Sequence, residues 1–234
     1  MDIVYLMKQC QSCEELNYSL RSLANIPHDK VFMVGGCPSN LKNVTHIPSP
    51  QNLSSKFKNT TIALHTAASS PLVSDDFILM NDDFFVVSKI KDPAKELRLC
   101  AGTMNEVLER MLKRHGKYSD YMKGMRDTQA FLRNLGCANP ISFELHVPIV
   151  MNKKNVLAMF DLPGFMDIPI VHKRSVYGNL FINSSCEQIQ DVKMYVDRPF
   201  KWYEKRFLSC SDKAWRNAKP ILLRMFPNKS EYEK

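Results

Sequence analysis

The 234-residue sequence predicts an α/β protein with a mixed, mostly parallel central sheet flanked by helices and a helix-rich C-terminal half. Three observations carry this expectation. Short apolar runs suited to buried parallel strands recur between residues 3 and 89, helical-period segments separate them, and the pattern beyond residue 94 turns to long helical stripes. The composition, 44% hydrophobic and 24% charged, is that of a globular protein and excludes disordered and collagen-like classes.

"IVYLMK" at residues 3–8 predicts the first strand. A helix should follow in "SCEELNYSLRSL", where Ser12 and Glu15 have capping-box spacing and Leu16, Leu20 and Leu23 share one face. "PHDKVFMVGG" supplies a turn, a strand at Val31 to Val34 and a terminating glycine pair. "NVTHIPSP" reads as a third strand and "NLSSKFKNTTIALHTAAS" as a helix carrying Phe57, Ile62, Leu64 and Ala68. "DDFILMNDDFFVVSK", residues 75–89, closes the alternation as a fourth buried strand.

Residues 94–136 predict helices, with Leu108, Met111 and Leu112 on one stripe, Phe131, Leu132 and Leu135 on another, and Gly136 as the stop. "ISFELHVPIVM" reads as a strand, "NVLAMFDLPG" as a short helix or turn, "YGNLFINSS" as a strand or loop, and "DKAWRNAKPILLRMF" as a final helix. No Pro/Gly/Ser-rich linker interrupts the chain, so a single domain over 1–234 is expected, with halves at 1–92 and 93–234.

The 32 Lys and Arg residues outnumber 24 Asp and Glu, a net charge of +8 that favours an anionic partner. The excess gathers beyond residue 110. Lys201, Trp202, Tyr203, Lys205, Arg206, Trp215 and Arg216 interleave cations with aromatic rings, as a nucleic-acid surface would, or as a packed last helix with solubilising charges would. No apolar run is long enough to span a bilayer and no signal-peptide pattern opens the chain, so a cytoplasmic location is expected. On that basis the sequons at Asn17, Asn43, Asn52, Asn59, Asn183 and Asn228 stay unmodified. Seven scattered cysteines suit reduced thiols, and the lone CxxC of Cys10 and Cys13 has no second pair at zinc spacing.

Asp82 and Asp83 interrupt the fourth strand. Two adjacent carboxylates in an apolar setting repel unless a divalent cation takes up their charge. By spacing alone, a metal site at a strand end and a solvated hairpin turn between "FILM" and "FFVV" are level.

Resemblance separates them. "DIVYLM", "EELNYSLRSL", "KVFMVGG", "NVTHIP" and "DDFILMNDDFFVV" together resemble the N-terminal half of GT-A fold glycosyltransferases, most of all the Stealth family of sugar-phosphate transferases. "FELHVPIVMNKKNVL" is similar to that family's later His-x-Pro segment, and "LSCSDKAW" and "ILLRMFPNKSEYE" are similar to the closing region of small phage and bacterial relatives. The opening "LMKQCQS" departs from the family by lacking its Trp-Val-Asp.

The resemblance implies a nucleotide-sugar donor, UDP-linked, whose diphosphate is held by Mn²⁺ or Mg²⁺. It makes 1–92 the donor-binding half and 93–234 the acceptor-binding half. Asp83 and Asp82 become the expected metal ligands, with His146 completing the shell and His172 a further candidate. Glu144, on the same strand face as His146, and Asp127, otherwise an N-cap, are rival general bases. Lys8, Lys56, Asn59, Arg126 and Lys173, with Arg21 and Arg174, are candidates to hold the donor. The acceptor would be a saccharide or a hydroxymethylated pyrimidine in DNA. The alternatives are Stealth-type hexose-phosphate transfer and a non-catalytic nucleic-acid-binding module.

Overall fold

The structure, a computed structural model, describes residues 1–10, 13–182, 185–196, 201 and 205–234. Ser12, Asn183, Trp202 and Tyr203 therefore lie outside the described residues.

The chain begins β1 (Asp2–Met7), α1 (Glu14–Ser22), β2 (Val31–Gly35), β3 (Thr45–Ile47), α2 (Lys56–Ser69) and β4 (Asp76–Met80). It continues through β5 (Phe84–Val86), α3 (Pro93–Glu96), β6 (Leu99–Cys100), α4 (Met104–His115), α5 (Asp120–Asn134), β7 (Ile149–Asn152) and α6 (Lys153–Phe160). It closes with α7 (Lys173–Tyr177), β8 (Glu187–Gln188), β9 (Lys193–Met194), β10 (Phe207–Cys210) and α8 (Trp215–Met225). The expected architecture is observed. The central sheet runs β3-β2-β1-β4-β7, with every pairing parallel except that of β7 against β4.

Strand alternation divides the core between the two faces of this sheet. Val4, Leu6, Phe32, Val34, Phe77 and Leu79 point to the side packed by α2, α4, α5 and α6. Ile3, Tyr5, Met7, Val31, Met33, Ile78 and Met80 point to the other, covered by Leu16 and Leu20 of α1. The first strands therefore read as unbroken apolar runs because both faces are buried.

Several boundaries differ from expectation. Residues 75–89 form two strands in different sheets, since β5 pairs with β10 and not with β4. In "YGNLFINSS" residues 177–182 are helical: α7 runs into a π-helical turn at Gly178–Ile182, and a side chain at position 178 would collide with the buried Phe143 ring. "ISFELHVPIVM" forms a strand only at its last residues, the earlier part being held by a bridge from Ile141 to Thr103 and by bonds to Ser175. Leu135 is exposed, whereas Phe131 and Leu132 pack inward.

Gly124 is a close-approach glycine inside a helix. A Cβ built there would lie 2.3 Å from the Ile170 carbonyl oxygen, a backbone atom that cannot swing away. Gly124→Ala is therefore expected to destabilise the fold by about 2 kcal/mol despite alanine's better helix propensity. A denaturant titration measures this, and a stabilised variant would contradict it.

Candidate functional site

The strand order reverses at β1. The chain leaves β1 toward β2 and β3 on one side, then returns through α2 to β4 on the other. The carboxyl ends of β1 and β4 thus flank a topological switch point, where open α/β sheets place their ligands. Lys8 follows β1 there. The Asn81-Asp82-Asp83 turn follows β4, closed by the Phe84 N–H donating to the Asn81 carbonyl at 3.2 Å. The two aspartates occupy a turn at the end of β4, and the turn joins two sheets and is no hairpin.

Asp82 does not stand beside Asp83 alone. Ligand atoms of Cys13, Glu15 and Asp82 all lie within 4.8 Å of one another, and all three residues are half-buried. The Cys13 thiol donates to Asp82 Oδ2 at 3.6 Å. Burial, and then the adjacent Asp83 charge, push the Asp82 carboxyl above the usual range. Burial together with Asp82, Asp83 and Asp212 pushes Glu15 up to about 7. Burial also holds the Cys13 thiol up at about 12. Among the described residues neither Glu15 nor Asp82 makes an ion pair. Two carboxylates and a thiol that converge in this way form a donor set that could hold a divalent metal.

Sequence reasoning missed Glu15 and Cys13 as members of this group. Glu15 had a sufficient local explanation as a helix-capping residue, and Cys13 as half of a CxxC. In the fold, Cys13 is the residue at which α1 begins, without a side-chain capping bond, and α1 presents Glu15 toward the β4 turn.

Asp83 turns the other way. Its Oδ2 accepts from Lys193 Nζ at 3.1 Å and from Ser209 Oγ at 3.0 Å. Two residues before Lys193, Asp191 accepts from His146 Nδ1 at 2.8 Å and from the His146 backbone N–H at 3.1 Å. Burial opposes ionisation of Asp191, but the His146 bonds prevail and hold its carboxyl below the usual range. The 191–193 segment thus ties together two predicted ligands, Asp83 and His146. It had no local sequence signal.

Phe84 links this group to a third. Its ring meets the His146 ring edge-on at 6.2 Å and carries the Arg174 guanidinium at 5.7 Å. Behind it, Glu144 accepts from the Ser175 backbone N–H at 3.1 Å and from its hydroxyl at 3.2 Å. Burial works against the Glu144 charge, yet His172, Arg174, Lys173 and the Ser175 N–H bring its carboxyl below the ordinary value. Burial pushes His172 below its ordinary value, against the pull of Glu144. With Nε2 donating to the Tyr121 carbonyl at 3.0 Å, His172 Nδ1 is left buried without a partner among the described residues. Lys173 Nζ reaches Thr60 Oγ1 at 3.2 Å on α2.

The remaining candidates are dispersed. Asp127 is exposed in the middle of α5, whose N-cap is Ser119, so the expected capping position is corrected. Arg126 is exposed beside it, over the Tyr118 ring at 5.4 Å. Lys56 is exposed at the start of α2 and Asn59 closes the preceding loop through the Leu53 backbone. Arg21 is consumed by Glu233 and the Phe226 carbonyl. In the basic C-terminal third, Trp215 packs on Tyr18 and Phe85 and donates to Glu14, while Arg206 pairs with Glu96 and Glu187. No helix among the described residues is long and apolar enough to cross a membrane.

No protein-family model matches the sequence, and no curated protein is significantly similar to it. Solved structures that align with the chain include a galactosyltransferase, LgtC, in complex with donor and acceptor sugar analogs, at 13% identity and a TM-score of 0.40, over 77% of this chain and 70% of that one. An active-site mutant of LgtC aligns over 99% and 98% of the two chains at 10% identity and a TM-score of 0.48. The apo-form glycosyltransferase GlyE of Streptococcus pneumoniae TIGR4 aligns over 95% of this chain and half of that one, at 10% identity and a TM-score of 0.41.

Proposed function

We propose that the protein is a divalent-metal-dependent glycosyltransferase that moves a sugar from a nucleotide-sugar donor to a hydroxyl acceptor. The observation that carries the reading is the convergence of Cys13, Glu15 and Asp82 at the switch point between β1 and β4. The sequence resemblance to GT-A glycosyltransferases, which implies a metal held by an acidic motif, supports it.

In this reading Asp82 and Glu15 hold Mn²⁺ or Mg²⁺, with Cys13 beside them and Asp83 positioned by Lys193 and Ser209. The metal supplies Lewis-acid stabilisation of the departing nucleoside diphosphate. Lys8, close enough to oppose the upward shift of Asp82, holds a donor phosphate at the end of β1. Lys173 and Arg174 add positive charge around the site. Glu144 stays ionised near pH 7, the state a general base requires, and takes the acceptor's proton. His146 orients the 191–193 segment through Asp191. The exposed Lys113, Arg114, Lys117, Lys123 and Arg126 on and between α4 and α5 favour an acceptor carried on an anionic polymer such as hydroxymethylated DNA.

A thermal-shift titration with UDP tests the reading, run with Mn²⁺ and with EDTA. UDP should raise the melting midpoint only when the metal is present, because a ligand that binds the native state stabilises it. Stabilisation that is equal in EDTA, or absent for every nucleoside diphosphate, would overturn the proposal. Release of nucleoside monophosphate from the donor would favour the sugar-phosphate alternative.

A further inference from the structure

β6 and β8 stand apart from the central sheet as a two-stranded parallel pair, with Leu99 opposite Glu187 and Cys100 opposite Gln188. The Glu187 N–H donates to the Arg98 carbonyl at 2.8 Å and the Ile189 N–H to the Cys100 carbonyl at 2.9 Å. Cys186 immediately precedes β8, and its Sγ lies 2.7 Å from Cys100 Sγ. This is closer than unbonded sulfurs ordinarily approach, and a small movement from the ~2.05 Å of a disulfide bond. Cys100 is buried and Cys186 packs on the same core at its edge.

We propose that Cys100 and Cys186 form a dithiol that closes to an intramolecular disulfide when a small disulfide oxidant such as oxidised glutathione is supplied. The more exposed Cys186, as thiolate, attacks one sulfur of the oxidant, forms a mixed disulfide and expels one glutathione thiolate. The Cys100 thiolate then attacks Cys186 Sγ, forms the protein S–S bond and expels the second. Two cysteines are oxidised, one glutathione disulfide is reduced to two thiols, and the two cysteine protons pass to the departing thiolates. Burial and the neighbouring Cys100 hold the Cys186 thiol up at about 12, so closure quickens with rising pH.

The bond would join positions 86 residues apart. It would staple the strand pair that leads directly into Asp191 and Lys193, the residues that hold His146 and Asp83. Cys13, the rival partner in a CxxC, has its thiol turned to Asp82.

The test is to incubate the full chain with oxidised glutathione at mildly alkaline pH, alkylate the remaining thiols and map the peptides. A Cys100–Cys186 crosslinked peptide is expected, together with a melting midpoint raised by about 10 °C and restored by a reductant. The Cys10→Ser/Cys13→Ser double variant should retain both effects and Cys186→Ser should lose both. A glutathione adduct that persists on Cys186, or crosslinks confined to other cysteines, would overturn the proposal. So would a Cys100–Cys186 bond that leaves the midpoint unchanged or lowers it, since the folded geometry would then not be suited to it.

Discussion

Asp82→Asn is expected to make the protein more stable and less active at once. Asp82 and Glu15 share one half-buried site, where the Asp82 charge raises the cost of ionising Glu15. A carboxyl whose folded pKa exceeds its unfolded value binds its proton more tightly when folded, so its ionisation removes stability as pH rises. Without a divalent cation, the wild type should therefore lose stability from about pH 4.3, where an unfolded glutamate titrates, through about 7, where Glu15 does. Asp82→Asn should flatten that slope and add on the order of 1 kcal/mol near neutral pH. Under the proposed function, the same change removes a metal ligand and should cut transfer by about 10²–10³-fold. Denaturant titrations in EDTA and turnover with Mn²⁺ measure the two effects. A variant that is destabilised yet fully active would contradict both.

Glu233→Gln is expected to cost about 3 kcal/mol of stability, a drop of several degrees or more in melting midpoint. Arg21 on α1 donates Nε and Nη2 to the two oxygens of Glu233 at 2.8 and 2.7 Å, with side-chain exposures of only 13% and 5%. The substitution leaves the guanidinium enclosed with its charge no longer matched. The same pair governs acid sensitivity. Burial raises the Glu233 carboxyl, but Arg21 and the Ser230 N–H outweigh it and bring it below the usual range. Its contribution is therefore complete above the unfolded glutamate pKa of about 4.3 and disappears as pH falls through the lower folded value. Melting curves of wild type and Glu233→Gln should converge in acid. Curves that stay parallel would remove Arg21–Glu233 as the cause.

The alternation of strands and helices in the first half was legible because each element carries its own period. β1, β2 and β4 are continuous apolar runs, and α1 and α2 repeat apolar residues every three or four positions. Helix α4 also declares itself locally, through the Thr103–Glu106 capping box and Gly116 in the left-handed region. "YGNLFINSS" was ambiguous because its aromatic and β-branched residues suit a strand, while the fit of Gly178 against Phe143 depends on a ring 35 positions away.

The sequence by itself determined the α/β class, the parallel first sheet and the interest of Asp82, since two carboxylates at the end of an apolar run are anomalous wherever the chain goes. Only the tertiary structure decided the company those carboxylates keep. It brought Cys13 and Glu15 to Asp82, gave Asp83 to Lys193 and Ser209, tied His146 to Asp191, and committed Arg21 to Glu233. The physical reason is range. Strand and helix periods arise between neighbours a few residues apart, and are written into any short window of sequence. Ion pairs and donor sets such as Lys193 with Asp83 span 110 positions and exist only once the chain has closed on itself.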